Sequence, residues 1–302
     1  MAAARDIFYE RIGLLRELSN DRLLTDIFPL NAPHNARATI LRNGLIVSAF
    51  SLLERYLQDR IEENVAAMNN ARMAYAMLGD GLRRLFSLDA IVGLANRINF
   101  VDRADRLTFA EAQIARLAAL NGVPVSYTGL GFSPKGSNVS ADDLHTLLAA
   151  FGVQNPWQVL ARATSTLGAT RVSLRDDFTN LARARNKAAH DSTTNVASAD
   201  LETHLETVLL VGMSIDVVLT HATSAFVRAN SHSTAVAAAN ALPLSFRFLD
   251  QTSIRQWSER LGTGRVIKRY TSKDAAKSGA LSRSGNALVV LRDQRSIPME
   301  LL

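Results

Sequence analysis

The segment LARARNKAAHDS, residues 181–192, carries the arrangement of side chains that most strongly suggests catalysis. Arg185 is followed directly by Asn186 and, five positions on, by His190. Of the six histidines, only His190 has an arginine five to seven residues upstream. The pair combines a permanent positive charge with an imidazole, a side chain that can both accept and donate a proton. Such a pair is suited to binding a phosphate and moving protons at it.

These residue types match the needs of internal transesterification of RNA. That reaction needs a base for the 2′-hydroxyl proton, an acid for the leaving 5′-oxygen and positive charge for the transition state. His190 suits the proton transfers, and the planar guanidinium of Arg185 suits the phosphate oxygens. Because the 2′-oxygen is itself the nucleophile, the reaction requires neither a metal nor a serine or cysteine nucleophile. The alternative is structural: Arg185 forms an ion pair and His190 lies near a helix C-terminus, where the dipole favours imidazolium.

Arg185 is predicted to lie on an apolar face of its helix. Leu174, Phe178, Leu181 and Arg185 recur at spacings of four, three and four, which places them on one side of a helix. A guanidinium there costs free energy unless it is paired or faces a ligand. Glu54 lies among apolar residues of an earlier helix in the same way and is our candidate partner for Arg185. Alternatively, Glu54 merely lies at the edge of its apolar stripe.

The geometry of the motif leaves two arrangements open. Asn186 and His190 share a helix face, whereas Arg185 and His190 point about 140° apart on an ideal helix. Either the helix ends or distorts before His190, or two copies of the motif meet across a dimer and form a composite site. The amide of Asn186 is a candidate for orienting the imidazole and fixing its tautomer, and Asp191 is a second candidate.

Most of the first 230 residues are predicted to be helical. Helices are expected at about 5–18, 36–68 and 82–120, and from about residues 141, 157, 174 and 199. Ser140 is expected to cap the helix that follows the loop at 123–139. On the last long helix, a heptad-like seam needs a partner helix within the fold or across a dimer; its residues are Leu201, Leu205, Val208, Gly212, Ile215 and Leu219. These features predict an up-and-down helical bundle.

The C-terminal part of the chain differs in pattern and in charge. Short strands are predicted at 243–249, 264–270 and 287–291, with a short helix at 253–261. Residues 243–302 hold 11 basic and 5 acidic residues, which accounts for the whole net charge of +6. Such a balance is what a phosphate-contacting segment needs. A solvated basic appendage with no partner is the alternative.

Composition excludes several kinds of site. The absence of cysteine rules out disulfides, thiolate metal sites and a cysteine nucleophile, and fits a reducing compartment. The six histidines include no close pair of the zinc-binding kind, so we expect no metal and no cofactor. No apolar run is predicted to span a bilayer and the N-terminus has no signal-like stretch. We therefore expect a cytoplasmic protein without a membrane partner.

The run ARARNKAAHD at 182–191 resembles the signature of the HEPN superfamily. In that superfamily an arginine with a polar residue after it precedes a histidine by four to six intervening residues on an all-helical domain. The segments at 48–61 and 140–160 are similar to the RiboL-PSP-HEPN group, and the resemblance covers roughly 36–225. It implies a metal-independent endoribonuclease dimer with facing motifs, in which Arg185 and His190 are catalytic. Ser192 stands where some HEPN toxins carry a regulatory tyrosine, which puts such regulation in doubt.

The sequence as a whole predicts a mainly α protein. We expect a HEPN-like helical domain at 1–235 and a small basic α+β module at 236–302. The function that fits best is a homodimeric endoribonuclease that acts as a toxin or antiviral-defence effector on RNA, with an antitoxin or defence-system protein as a possible partner. The first alternative is a non-catalytic HEPN subunit that binds nucleic acid or a partner. The second is a basic helical scaffold with no nucleic-acid role.

Overall fold

The structure is a computed structural model, and it describes residues 2–28, 31–122, 125–132, 138–191, 193–241, 245–285 and 287–302. It is mainly helical with a small C-terminal mixed sheet, as the sequence predicts. The helices are α1 (Ala2–Leu18), α2 (Ala32–Met68), α3 (Asp80–Arg84), α4 (Ala90–Arg97), α5 (Arg106–Ala118), α6 (Ala141–Ala150), α7 (Pro156–Leu167), α8 (Leu174–His190), α9 (Ser198–Arg228), α10 (His232–Asn240) and α11 (Lys273–Leu281).

The described residues group into two compact units. The first contains Met1–Leu53, Leu160–Ser214 and Pro243–Leu302, and the second contains Glu54–Val159 and Ile215–Leu242. The long helices α2 and α9 each contribute residues to both units. The division at residues 235 and 236 remains a prediction, although helix gives way to sheet close to it, after α10 ends at Asn240.

Helix α9 forms the core of the fold. The six residues of its predicted seam are buried, and a Cβ on Gly212 would lie 2.8 Å from the Phe8 ring of α1 and 3.4 Å from Leu53 of α2. The partners of Gly212 are therefore helices of the same chain. Among the described residues, α9 is also the one helix that is long and apolar enough to cross a membrane, whereas the sequence predicted no such segment. However, 83% of its most apolar window is buried inside the protein, which is typical of a core helix.

The middle helical stretch is shorter and more broken than predicted. A π-turn at Leu85–Asp89 and a 3₁₀ turn at Ile98–Phe100 divide the residues between 82 and 120. Ser140 caps α6 through a reciprocal pair of hydrogen bonds with Asp143, as predicted. Part of the predicted loop at 123–139 falls outside the described residues, and its described part contains a 3₁₀ turn at Gly129–Gly131.

The C-terminal sheet has five strands in the order β3-β2-β1-β4-β5. Strand β1 pairs antiparallel with β2 and parallel with β4. Strand β3 pairs antiparallel with β2, and strand β5 pairs antiparallel with β4. The bounds are Phe246–Ser253 for β1, Gln256–Leu261 for β2, Val266–Tyr270 for β3, Leu288–Arg292 for β4 and Pro298–Leu301 for β5.

The predicted helix at 253–261 is wrong, because these residues end β1 and form β2. Trp257 and Glu259 are two residues apart and lie on the same face of the sheet, where Trp257 packs with Leu249, Tyr270 and α11. In so short a segment, packing between neighbouring strands outweighs a helical spacing of apolar residues. Helix α11 and strand β5 were missed. Ser272 caps α11, and its small buried face consists of Ala276 and Ala280.

Candidate active site

Helix α8 presents the predicted motif at its C-terminal end. Ser173 accepts a hydrogen bond from the backbone of Asp176 and so caps the first turn. Leu174, Phe178 and Leu181 are fully buried, and the Phe178 ring stacks on Phe50 of α2 with 6.0 Å between centroids. The apolar stripe predicted from the sequence therefore anchors α8 against α2 within the first unit.

Arg185 continues this stripe, as predicted, and is half-buried. Its guanidinium carbon lies 5.7 Å from the centroid of the Phe50 ring, within the range of a cation–π interaction. Its Nη1 donates a 3.1 Å hydrogen bond to Oδ1 of Asn186. Its Nε is buried without an acceptor among the described residues. A buried donor left without an acceptor costs about 1–3 kcal/mol, so an anion that reached Nε would bind favourably.

His190 is the last residue of α8 and is exposed. The helix stays α-helical through His190 and its C-cap is Asp191. The first of the two arrangements left open by the sequence, a helix that ends or distorts before His190, is therefore wrong, because α8 continues past Arg185 to His190. Arg185 and His190 lie five residues apart on a regular helix, which separates them by about 7.5 Å along the axis and about 140° around it.

Asp191 stabilises the turn after α8. Its Oδ1 accepts hydrogen bonds from the backbone N–H of Thr193 at 2.9 Å and from Thr193 Oγ1 at 2.6 Å. These hydrogen bonds hold the pKa of Asp191 below its usual value. The imidazole of His190 makes no hydrogen bond to the described residues, so neither Asp191 nor Asn186 is seen to orient it. The regulatory position, residue 192, lies outside the described residues.

Glu54 belongs to the second unit, and there it has a backbone partner. Its Oε1 accepts a 2.8 Å hydrogen bond from the backbone N–H of Val139. The contacts of Arg185 with described residues are those to Asn186 and Phe50. The pairing of Glu54 with Arg185 remains a prediction, and within its own unit Glu54 fixes the chain just before the Ser140 cap.

Arg42 is a residue of the site region that the sequence analysis missed. It is fully buried on α2, and its Nε and Nη1 donate to the carbonyl oxygens of Val196, at 2.5 Å, and Leu24, at 2.6 Å. Its Nη2 donates to Asn195 Oδ1 at 2.9 Å, and Asn43 Nδ2 donates to the Thr194 carbonyl at 2.7 Å. Together these bonds hold the segment 194–196, just after the motif, against α2.

The signal for Arg42 was present in the sequence. Arg42 lies four residues before Ile46, at the start of the stripe that continues through Phe50, Leu53, Leu57 and Ile61. A guanidinium in line with an apolar stripe is as unusual here as it is at Arg185. The two differ in what they face, because Arg42 is surrounded by acceptors whereas the Nε of Arg185 has none among the described residues.

The described residues around the end of α8 include no cluster of metal ligands. In the described ranges there is no group of three or more His, Cys, Asp or Glu that could bind a metal ion. Comparisons with protein-family models, with curated proteins and with solved structures return no match to this chain. The residues at the end of α8 therefore carry the functional interpretation by themselves.

Proposed function

We propose that this protein is a HEPN-type endoribonuclease that cleaves RNA without a metal and acts as a homodimer. The observation that carries the proposal is the buried Nε of Arg185, which has no acceptor among the described residues, on the same helix end as the exposed imidazole of His190. The resemblance of residues 182–191 to the HEPN signature supports the same conclusion. In this reading the helical part of the chain is a HEPN-like up-and-down bundle, as the sequence predicts.

Each side chain has a distinct role in the proposed reaction. Arg185 binds the non-bridging oxygens of the scissile phosphate and stabilises the charge that grows on them in the transition state. The imidazole of His190 takes the 2′-hydroxyl proton or protonates the leaving 5′-oxygen. The 2′-oxygen forms a bond to phosphorus while the bond to the 5′-oxygen breaks, which leaves a 2′,3′-cyclic phosphate. The Phe50 ring holds the guanidinium in place through a cation–π interaction.

The regular helix favours a dimer. Side chains about 140° apart on one helix do not converge on one phosphate, whereas a two-fold axis beside the end of α8 brings Arg185 of one copy toward His190 of the other. We propose this composite arrangement, with Asn186 holding the Arg185 guanidinium at its present angle through the 3.1 Å hydrogen bond. We also propose that the protein acts as a toxin or defence effector, and that a partner protein neutralises or triggers it.

The first experiment measures cleavage of mixed cellular RNA in excess EDTA. We expect fragments with 2′,3′-cyclic phosphate ends from the wild type, and none from Arg185→Ala or His190→Ala. His145→Ala is the matched control, because His145 is an exposed histidine on another helix, α6, and we expect it to cleave normally. Retained cleavage in both motif variants would disprove the assignment.

Mixing the two inactive variants tests the composite site. Subunit exchange between Arg185→Ala and His190→Ala puts about half of the chains into mixed dimers, each with one of its two sites intact, so activity should return to about a quarter of the wild-type value. Absence of any recovery in mixtures shown to contain mixed dimers would refute a site that takes one residue from each copy.

A non-catalytic HEPN subunit is the second candidate. It is favoured by one observation: the carboxylate of Asp191 is occupied by Thr193 rather than by the imidazole of His190. A histidine without an orienting partner is a poor general base, while Arg185 still binds phosphate. RNA binding that depends on Arg185, without cleavage by any form of the protein, would establish this alternative.

A further inference from the structure

The basic residues of the C-terminal segment, 243–302, divide into two groups. Seven of its 11 cations form ion pairs inside the segment with Asp250, Glu259, Asp293 or Glu300. Within the described residues the other four form no ion pair, and all four are exposed: Arg255, Arg265, Lys268 and Arg269. These four side chains are therefore the cations of the segment that have no acidic partner among the described residues.

These four cations lie along one edge of the sheet. Lys268 and Arg269 are on β3, which is an outer strand with β2 as its neighbour. Arg265 lies in the turn that enters β3, and Arg255 lies in the turn that enters β2. Because Trp257 of β2 pairs with Tyr270 of β3, Arg255 and Arg265 lie at opposite ends of the β2–β3 pair. We call these four residues the edge cations.

The spacing of the edge cations matches a polyanion better than a small acid. Strand β3 has five residues, and at about 3.4 Å per residue it is roughly 17 Å long. One strand of a nucleic acid carries a phosphate about every 3.4 Å of helix axis, so this length spans several phosphates but only one carboxylate ligand. The outward backbone N–H groups of an edge strand are further donors for phosphate oxygens.

Neighbouring side chains keep the edge open. Lys268 Nζ lies 5.3 Å from the ring centroid of Tyr270, which is itself buried. Lys268 is exposed and has no acidic partner in the part of the chain that the structure describes. Ile267, between Val266 and Lys268, is 52% exposed and offers an apolar contact to a base or sugar. By contrast, the acidic Glu259 on the adjacent strand is fully buried and occupied by Arg247, Arg283 and Tyr270.

We propose that the edge cations form the RNA-binding site that delivers substrate to this protein, with Arg265, Lys268, Arg269 and Arg255 each contacting a phosphate. The inference rests on the proposed ribonuclease function, since it names where that substrate is held outside the catalytic motif. A different reason for cations on an outer strand is to prevent edge-to-edge pairing of sheets, and the experiment below separates the two.

The experiment measures affinity for a labelled single-stranded RNA against salt concentration, in a full-length His190→Ala background that keeps the RNA intact. The edge variant replaces all four edge cations by glutamine. Its matched control replaces by glutamine four exposed arginines elsewhere that form no ion pair with described residues: Arg11, Arg22, Arg37 and Arg103. The edge variant and the control therefore have the same net charge. Single variants Lys268→Gln and Arg269→Gln guard against misfolding of the fourfold variant.

The slope of log affinity against log salt reports the number of phosphate contacts. Each lost contact to a single strand lowers the magnitude of this slope by about 0.7. Relative to the His190→Ala background, the slope should fall by about 3 in the edge variant and by about 0.7 in each single variant, and it should not change in the control. Equal slopes in the edge variant and the control, with RNA still bound, would overturn the inference and leave the proposed function intact.

Two further outcomes also decide the matter. If the edge variant forms larger assemblies by size-exclusion chromatography and binds RNA with an unchanged slope, the edge cations prevent self-association and the inference fails. If the His190→Ala background binds no RNA and the wild type cleaves none, the proposed function fails together with it.

Discussion

Replacing Arg42 tests the hydrogen bonds that hold the chain after the Arg185–His190 motif. Arg42→Met keeps most of the aliphatic volume but removes every donor of the guanidinium. The carbonyl oxygens of Leu24 and Val196 then lose a charged donor at a site where the arginine was fully buried.

The magnitude follows from those two carbonyl groups. The Val196 carbonyl is left without a donor, which costs about 1–3 kcal/mol. The Leu24 carbonyl keeps the Ser198 hydroxyl as a donor at 3.2 Å and loses only the charged donor, which costs roughly 1 kcal/mol. The ion pair with Asp26, at 3.1 Å, adds little because the carboxylate is 31% exposed. Arg42→Met should therefore lower the free energy of unfolding by about 3 kcal/mol.

Urea unfolding followed by circular dichroism measures this difference. Arg37→Met is the matched control, because Arg37 lies on the same helix but is exposed, and it should change the free energy of unfolding by less than about 0.5 kcal/mol. Hydrogen exchange should also become faster at the Asn195 and Val196 amides. A loss below about 1 kcal/mol for Arg42→Met would show that water replaces the guanidinium and would refute the reasoning.

Two pH-dependent effects follow from buried acidic groups. Burial, and then the nearby Tyr75, raise the pKa of Tyr127 to about 12. Because the folded state favours the neutral phenol, the contribution of Tyr127 to stability should be complete below about pH 10 and be lost as pH rises toward 12. Unfolding in urea from pH 9 upward should show this loss in the wild type, and an equal loss in Tyr127→Phe would contradict it. Although burial acts to raise the pKa of Glu259, hydrogen bonds from Arg283, Tyr270 and Arg247 lower it overall. Its contribution should be present above the unfolded value of about 4.3 and be lost as pH falls through the lower folded value, and Glu259→Gln should unfold with a flatter acid dependence.

The helices were predictable because their signals are local. The spacing of Leu174, Phe178 and Leu181 identified the buried face of α8, and Ser140 marked the start of α6. Periodicity and capping depend on residues within a few turns of each other. Errors appeared where distant residues decide, as in β2, whose backbone hydrogen bonds are made with β1 and β3.

The pairing of charged residues was the least predictable feature. Glu54 and Arg185 both lie in apolar stripes, yet Glu54 binds the backbone of Val139 and Arg185 lies over Phe50. A stripe gives the direction of a side chain from its own helix axis, but it does not say which atom of another segment lies there.

By itself, the sequence determined the helical character of the chain, the joint placement of Arg185, Asn186 and His190 near the end of one helix, and the excess of positive charge in residues 243–302. Only the tertiary structure decided that α8 stays regular through His190 and that Arg42 fixes the following segment. It also decided that four cations of the C-terminal segment have no acidic partner among the described residues. The physical reason is the range of the interactions. Helix periodicity is set within neighbouring turns, whereas hydrogen bonds and ion pairs between distant residues exist only once the chain has brought their atoms within about 3 Å.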